Sequence, residues 1–491
     1  MSRQQKFFRT IVDKVEPATK AAKLREVMPE IERKIAAGAH IADIVDALNS
    51  NGFDITLATL KSYLYRFRKA ARQSAPHDRA GVPVARLAAH ADTAAPDPHR
   101  DSAATTTGLL RHINTARCMR MLRRGTPLTR ADLARELNLT RATIGRAIGE
   151  LLEAGLVTET AERAEEARLG RPGTTIRLNP DGAYSIGIDI SSTSLTGVLL
   201  DLDMRVLRRI SVPVGPDTRD VPAVVARIAR FPAELLSTGI PAQRVQGVCV
   251  SVPGLVDHRG RVVVAPFLGW HDVPLRDLLS GRPELPWTIR VSNDAVAFAR
   301  GECALASERD TQSMLLVLLA EGFGGAIVQE GRVFQGAHGY AGELGHMVMS
   351  ARLDSAPTDT FEVRAGYRRF LPFLPEHLSF ADGLAWLARS EPQALDPRLV
   401  AVLDEWAEVL AVGLLNLIHV LDPQRIVLGG PLSLLFPHVE ARIKGLLQGS
   451  LLHGFELPAI TVTRFGADGA AIGAAAVIRE LMFSLPDFDR R

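Results

Sequence analysis

The chain has 491 residues, 46% of them hydrophobic, and 58 Lys and Arg against 55 Asp and Glu. That length predicts roughly three or four units at ~100–200 residues each. Cys118, Cys249 and Cys303 are odd in number and far apart, which excludes a disulfide framework and a paired-cysteine zinc site and fits a reducing cytoplasm. The longest apolar stretches, such as MLLVLLA at 314–320, fall short of the ~20 residues a membrane helix needs. Residues 1–25 are charged rather than signal-like, so a cytoplasmic protein with no membrane partner is expected. The net charge of +3 conceals an asymmetry: residues 1–180 hold 30 Lys and Arg against 20 Asp and Glu, whereas 181–491 hold 28 against 35. A basic front half suggests a polyanion-binding segment joined to something else.

Residues 1–72 read as a small helical module. Ile41, Ile44, Val45 and Leu48 recur at helical spacing, and Gly52 ends the run. Thr56 then caps a second helix with Leu57, Leu60, Leu64 and Phe67 on its buried stripe. Its other face carries Lys61, Arg66, Arg68 and Lys69 with Tyr63 and Tyr65 interleaved, which suits DNA phosphates, although a helical oligomerisation module would show the same pattern. Residues 73–108, rich in Ala, Pro, Asp, His and Thr without apolar periodicity, read as a flexible linker.

Residues 109–182 predict a winged helix-turn-helix. Thr129 and Thr140 stand at N-cap positions, Asn138 suits a left-handed turn between two helices, and Leu133, Leu137, Ile144, Ile148 and Leu151 would knit them together. That leaves Thr140, Arg141, Thr143 and Arg146 outward at the start of the second helix, where a recognition helix meets base edges and phosphates. Gly145 and Gly149 weaken this helix, and either close approach to a duplex or a packing contact would explain them. LVTET and GRPGTTIRLN (170–179) predict a two-stranded wing with Arg171 near its tip, suited to an A·T-rich minor groove.

From 183 to 491 an α/β pattern follows. Within it GAHGYAGELGH (336–346) frames Glu343 and His346 with four glycines, which would let the backbone turn tightly and approach a bound molecule. Glu343 and His346 could hydrogen-bond a polyhydroxylated ligand, while a Gly-rich hairpin with incidental polar residues is the plainer reading. The blocks YSIGIDISSTSLTGVLLDLD (184–203), VCVSVPGLVDHRGRVVVAPFLGWHDVPL (248–275), VSNDAVAFARGE (291–302), LLVLLAEGFGGAIVQEGRVFQGAHGYAGELGHMVM (315–349) and LDPQRIVLGGPLS (421–433) together resemble, in order and spacing, the ROK (repressor, ORF, kinase) family.

The resemblance covers nearly all of 109–480 and implies a two-lobed, ribonuclease-H-like relative of the sugar kinases, with lobes of about 183–300 and 301–491 and a sugar site between them. It implies that Gly254, Asn293, Asp294, Glu343, His346 and Glu362 line that site, with Asp294 the general base in a kinase. It also exposes departures. Where the family's kinases carry glycines and a threonine for phosphate, this chain has Ser191, Ser192 and Thr193; the second loop reads Ala320-Glu321-Gly322, followed by Gly324 and Gly325. Glu321 would set like charges together near phosphates. Gly429 and Gly430 still match the nucleotide end of the family's cleft, but no cysteine follows His346 to complete the family's zinc cluster. No cofactor and no metal are expected. The resemblance implies a sugar-responsive regulator, a repressor, that binds double-stranded operator DNA as a homodimer or homotetramer and is not an enzyme. The alternatives are a sugar kinase with an appended DNA-binding head, and a constitutive DNA binder with a vestigial sensor.

Overall fold

A computed structural model describes residue 31, residues 41–50, residues 60 and 64, and residues 101–483 except 124, 161–173, 215–216, 238, 307–309, 351–358 and 392–394. The chain divides into two compact units, Met1–Ala95 and Pro96–Arg491. In the first, helix α1 (Ile41–Asn49) buries Ile44, Val45 and Leu48, and Leu60 and Leu64 are buried as their spacing predicts. The candidate DNA contacts Lys61, Arg66, Arg68 and Lys69 lie outside the described residues.

The second unit opens with α2 (Asp101–Leu122), so the last eight residues of the stretch read as linker are helical. After it come β1 (Leu128–Thr129), α3 (Arg130–Leu137), α4 (Arg141–Glu153), β2 (Val157–Thr160) and β3 (Thr175–Leu178). Both caps form. Thr129 and Asp132 make a reciprocal capping box, Asn138 takes φ 51°, and the Thr140 hydroxyl accepts from the Thr143 amide at 3.2 Å. The wing is a three-stranded sheet, β1-β3-β2, rather than the expected two-stranded one, because Leu128 and Thr129 pair with Ile176 and Thr175. Residues 161–173, and with them Arg171, lie outside the described residues.

The first lobe comprises β4 (Tyr184–Ile190), β5 (Ser194–Leu200), β6 (Val206–Pro213), α5 (Val221–Leu236), β7 (Val245–Val252), β8 (Leu255–Val256), β9 (Val262–Ala265), β10 (Trp270–Val273), α6 (Leu275–Ser280), β11 (Thr288–Asn293) and α7 (Asp294–Leu305). The second has β12 (Ser313–Leu319), β13 (Phe323–Gln329), β14 (Arg332–Val333), α8 (Phe361–Ala365), α9 (Phe380–Leu387), α10 (Pro397–Leu421), β15 (Arg425–Gly429), α11 (Phe436–Ser450), β16 (Ala459–Val462) and α12 (Gly469–Phe483). The two five-stranded sheets, β6-β5-β4-β7-β11 and β14-β13-β12-β15-β16, repeat one topology: an antiparallel meander followed by two parallel strands. Near-continuous Ile, Val and Leu in β4, β7 and β12 fit strands buried on both faces. This is the expected two-lobed, ribonuclease-H-like α/β fold. The turns after β4 and β12 occupy equivalent positions, and these are the two candidate phosphate loops.

One boundary differs from expectation. Helix α12 does not stay with the second lobe but crosses back to pack on β4, β5 and β7. Gly187 and Gly473 make that possible, since a Cβ on the first would run into the backbone at Ala471, and one on the second into the Ala297 carbonyl. Among the described residues no helix is long and apolar enough to cross a membrane.

Candidate functional site

In the winged helix, the buried stripe of α4 (Ile144, Ala147, Ile148 and Leu151) meets Leu133 and Leu137 of α3 and Cys118, Met119 and Leu122 of α2. The geometry turns Arg141 and Arg146 to solvent on the opposite face, with Thr140 and Thr143 tied together at the helix start. Among the described residues, none places an atom within 4 Å of where a Cβ on Gly145 or Gly149 would stand, the helix's own backbone apart, so no packing contact among them requires these glycines.

The cleft site is built from both lobes. β11 ends at Asn293, which caps α7: its Oδ1 accepts from the Val296 amide at 2.9 Å, and its Nδ2 donates to the Gly254 carbonyl at 3.1 Å and to Asp294 Oδ1 at 2.9 Å. Gly254, at φ 158°, packs against the backbone of β9, where a side chain would collide with Ala265. From the other lobe, Glu343 Oε2 lies 3.9 Å from His346 Nε2, and His346 Nδ1 lies 3.8 Å from Glu362 Oε1. Glu362 in turn accepts from the Phe323 amide through Oε2 at 3.3 Å. Asn293 thus ties Gly254 to Asp294, and His346 stands between Glu343 and Glu362.

Their charges are strained by burial. Asp294 is pushed up to about 7, first by desolvation and then by the neighbouring Asp189 charge, with Glu343 adding to the rise against the Ala295 amide. Asp189 is itself raised to about 6 by burial, against the pull of its 2.7 Å hydrogen bond from Ser251. Glu343 is also raised, by burial, although His346 opposes the shift. Asp189 was not singled out from sequence; the available signal was a lone acid in the apolar strand YSIGIDI.

The glycines of 336–346 serve the fold in a way the sequence reading did not foresee. Gly336, Gly339 and Gly342 adopt positive φ, yet the close approaches are to the chain's own backbone: a Cβ on Gly342 would run into the Gly325 carbonyl, and one on Gly345 into that of Phe323. Gly325 in turn leaves room for Leu344, and Gly324 lies against Ala295. The motif therefore lies pressed onto β13, which aims Glu343 and His346.

A nucleotide's phosphates would need free amides at the two loops. In the first, Ser191 Oγ already accepts from the amides of Thr193 at 3.3 Å and Ser194 at 2.9 Å, and the turn carries half-buried Ser192 and exposed Thr193. The second turn is closed by Ala320 N–H donating to the Gly322 carbonyl at 3.1 Å, and the Phe323 amide is taken by Glu362; half-buried Glu321 lies between. Gly429 and Gly430 are explained by packing, because side chains there would meet Phe298 and Leu319. Four amides of these two loops, those of Thr193, Ser194, Ala320 and Phe323, are thus bonded within the chain.

The site is joined to the winged helix by two helices. α7, which begins at Asp294, lies along α12, with Arg300 Nη1 bonded to Glu480 Oε2 at 2.6 Å. The last residue of α12, Phe483, is buried among Cys118, Met119 and Leu122, and its carbonyl accepts from Arg120 at 3.1 Å. Buried Arg479 lies 4.7 Å from the Phe483 ring centroid, and its Nε donates to the Leu202 carbonyl at 2.7 Å.

The ROK family model matches residues 185–364 and 388–480, and a MarR family model matches 108–168. A xylose repressor of Bacillus subtilis (strain 168) is 21% identical over 383 residues, covering 75% of this chain and 95% of that protein. The crystal structure of a ROK family transcriptional regulator, homologous to the E. coli MLC protein, is 25% identical with TM-score 0.61, covering 76% of this chain and 97% of that one. The ROK family glucokinase of Streptomyces griseus, solved with glucose and AMPPNP, shares the fold at 24% identity and TM-score 0.51, over 61% of this chain and all of that one (100%). The chain therefore belongs to the ROK family, carrying a MarR-type winged helix in front of its two-lobed domain.

Proposed function

We propose that this protein is a transcriptional repressor that binds operator DNA through α3, α4 and the wing, and senses a sugar in the cleft without phosphorylating it. The observation that carries this reading is an asymmetry within one cleft. The group able to bind hydroxyls (Asn293, Asp294, Glu343, His346 and Glu362) is assembled, while amides of both phosphate loops are bonded to the chain itself. Carboxylates and an imidazole at such spacing suit a polyol, which presents donors and acceptors in alternation. Relatives named as a xylose repressor and as a regulator homologous to MLC support the repressor role.

Sugar binding would act by differential affinity for two arrangements of the lobes, transmitted through α7 and α12 to the winged helix. Two copies of the winged helix on a two-fold operator call for a homodimer or homotetramer.

The test is a thermal-shift and ATP-turnover panel with D-xylose, D-glucose and N-acetyl-D-glucosamine. A bound sugar at ~100 times its Kd should stabilise the protein by about 2.7 kcal/mol, without ATP consumption. Turnover that disappears in Asp294→Asn would establish the kinase alternative instead, and no stabilisation by any sugar would favour a vestigial sensor.

A further inference from the structure

We propose that Phe267 is a ligand-binding residue of this cleft, an aromatic platform that lies against the C–H face of a bound pyranose. The inference rests on the sugar-sensing reading above and adds to it a residue outside the carboxylate–imidazole group.

Phe267 sits on the single turn Pro266–Leu268 between β9 and β10. Its neighbours fix the backbone: Leu268 and Trp270 are buried in the first lobe's core, and Trp270 Nε1 donates to the Thr218 carbonyl at 2.6 Å. The Phe267 side chain is turned out of this core and is 42% exposed. It does not point into open solvent. A Cβ on Gly322, in the second lobe, would lie 2.8 Å from the Phe267 ring and 3.5 Å from Glu362 Oε2. The ring therefore crosses from one lobe to the loop of the other, next to the carboxylate that faces His346. On its own lobe, Ala265 packs against Gly254, whose carbonyl Asn293 holds. The Phe267 ring and Glu362 thus both border Gly322, and Phe267 follows Ala265, which borders Gly254, by two residues.

An aromatic ring left part-exposed beside a carboxylate gains by being covered, because apolar area leaves water. A pyranose with equatorial hydroxyls offers suitable cover: hydroxyls around its edge for Asp294, Glu343 and Glu362, and a face of C–H bonds whose positive polarity suits the negative face of the ring. Gly322 is required for the ring to seat, since any side chain there would push it away.

The experiment is calorimetric titration of D-xylose, D-glucose and N-acetyl-D-glucosamine into the full chain and into Phe267→Ala, Phe267→Leu and Phe267→Trp, with operator affinity measured in the absence of sugar. For the sugar that binds the unaltered protein, affinity should fall about tenfold in the Ala and Leu variants and stay within about threefold in the Trp variant, with sugar-free operator affinity unchanged. Undiminished binding in Phe267→Ala overturns the inference. So does retention in Phe267→Leu, which keeps the bulk without the ring face, or a change confined to sugar-free operator binding, which marks a structural latch between the lobes. If the unaltered protein binds none of the three sugars, the sugar-sensing reading itself fails and this inference with it.

Discussion

Arg141 and Arg146 are exposed at the start of α4, and substituting either with Ala should weaken operator binding, by ~1–3 kcal/mol if the side chain reads a base, while sugar binding stays intact. Electrophoretic mobility shift and calorimetry on the same preparations check both halves. Gly145 gives a sharper test because its Cβ position is empty. Gly145→Ala should stabilise the helix by about 0.5–1 kcal/mol and yet weaken operator binding if the glycine admits a duplex closely. Unchanged operator affinity in this variant would mean that the glycine has no role at the interface. In the cleft, Asp294 and Asp189 are raised to about 7 and about 6 from 3.8. Their folded forms bind protons more tightly than their unfolded forms, so their stabilising contribution is complete below about pH 4 and is lost as pH rises to about 7. Asp294→Asn, which keeps an oxygen for the Ala295 amide, should therefore gain stability relative to the unaltered protein across that window in pH-dependent denaturation. The caps Thr129, Thr140 and Asn138 were legible in sequence because each acts on backbone within three residues. Asp189 was not, because its meaning comes from Ser251 and Asp294, far along the chain.

At the scale of elements, α7 and α12 form a physical connection between the candidate site and the winged helix. Phe483→Leu conserves much of the volume but loses the ring facing Arg479, and Arg120→Gln removes the bond to the Phe483 carbonyl at an exposed position. Both variants should bind operator and sugar separately with little change, and should release operator less when sugar is added; an intact response in both would show that coupling runs elsewhere. The path of α12 was hidden in sequence. Its apolar residues predict a helix but not its destination, which depends on Gly187 and Gly473 standing where two backbones meet. The third strand of the wing was hidden for a related reason: two residues, Leu128 and Thr129, carry no period, and only their pairing with β3 makes them a strand. The block order of the two lobes, by contrast, was legible, because each apolar strand ends in a loop with its own residue signature.

For the whole molecule, the compact unit Pro96–Arg491 holds the winged helix and both lobes. Removing residues 1–95 should leave its thermal transition and its sugar response in place, and DNA-fragment selection with and without that segment would show whether the basic first unit adds to operator choice. On the proposed function, one chain converts sugar binding into release of DNA without chemistry. Fluorescence anisotropy of a selected operator fragment, titrated with protein at saturating sugar with and without ATP, tests it most directly. The sugar should weaken operator binding several- to a hundred-fold, a coupling of ~1–3 kcal/mol, equally with and without ATP and with no sugar phosphate formed. An operator affinity indifferent to every sugar that binds, or a response that requires ATP and accumulates sugar phosphate, would contradict it.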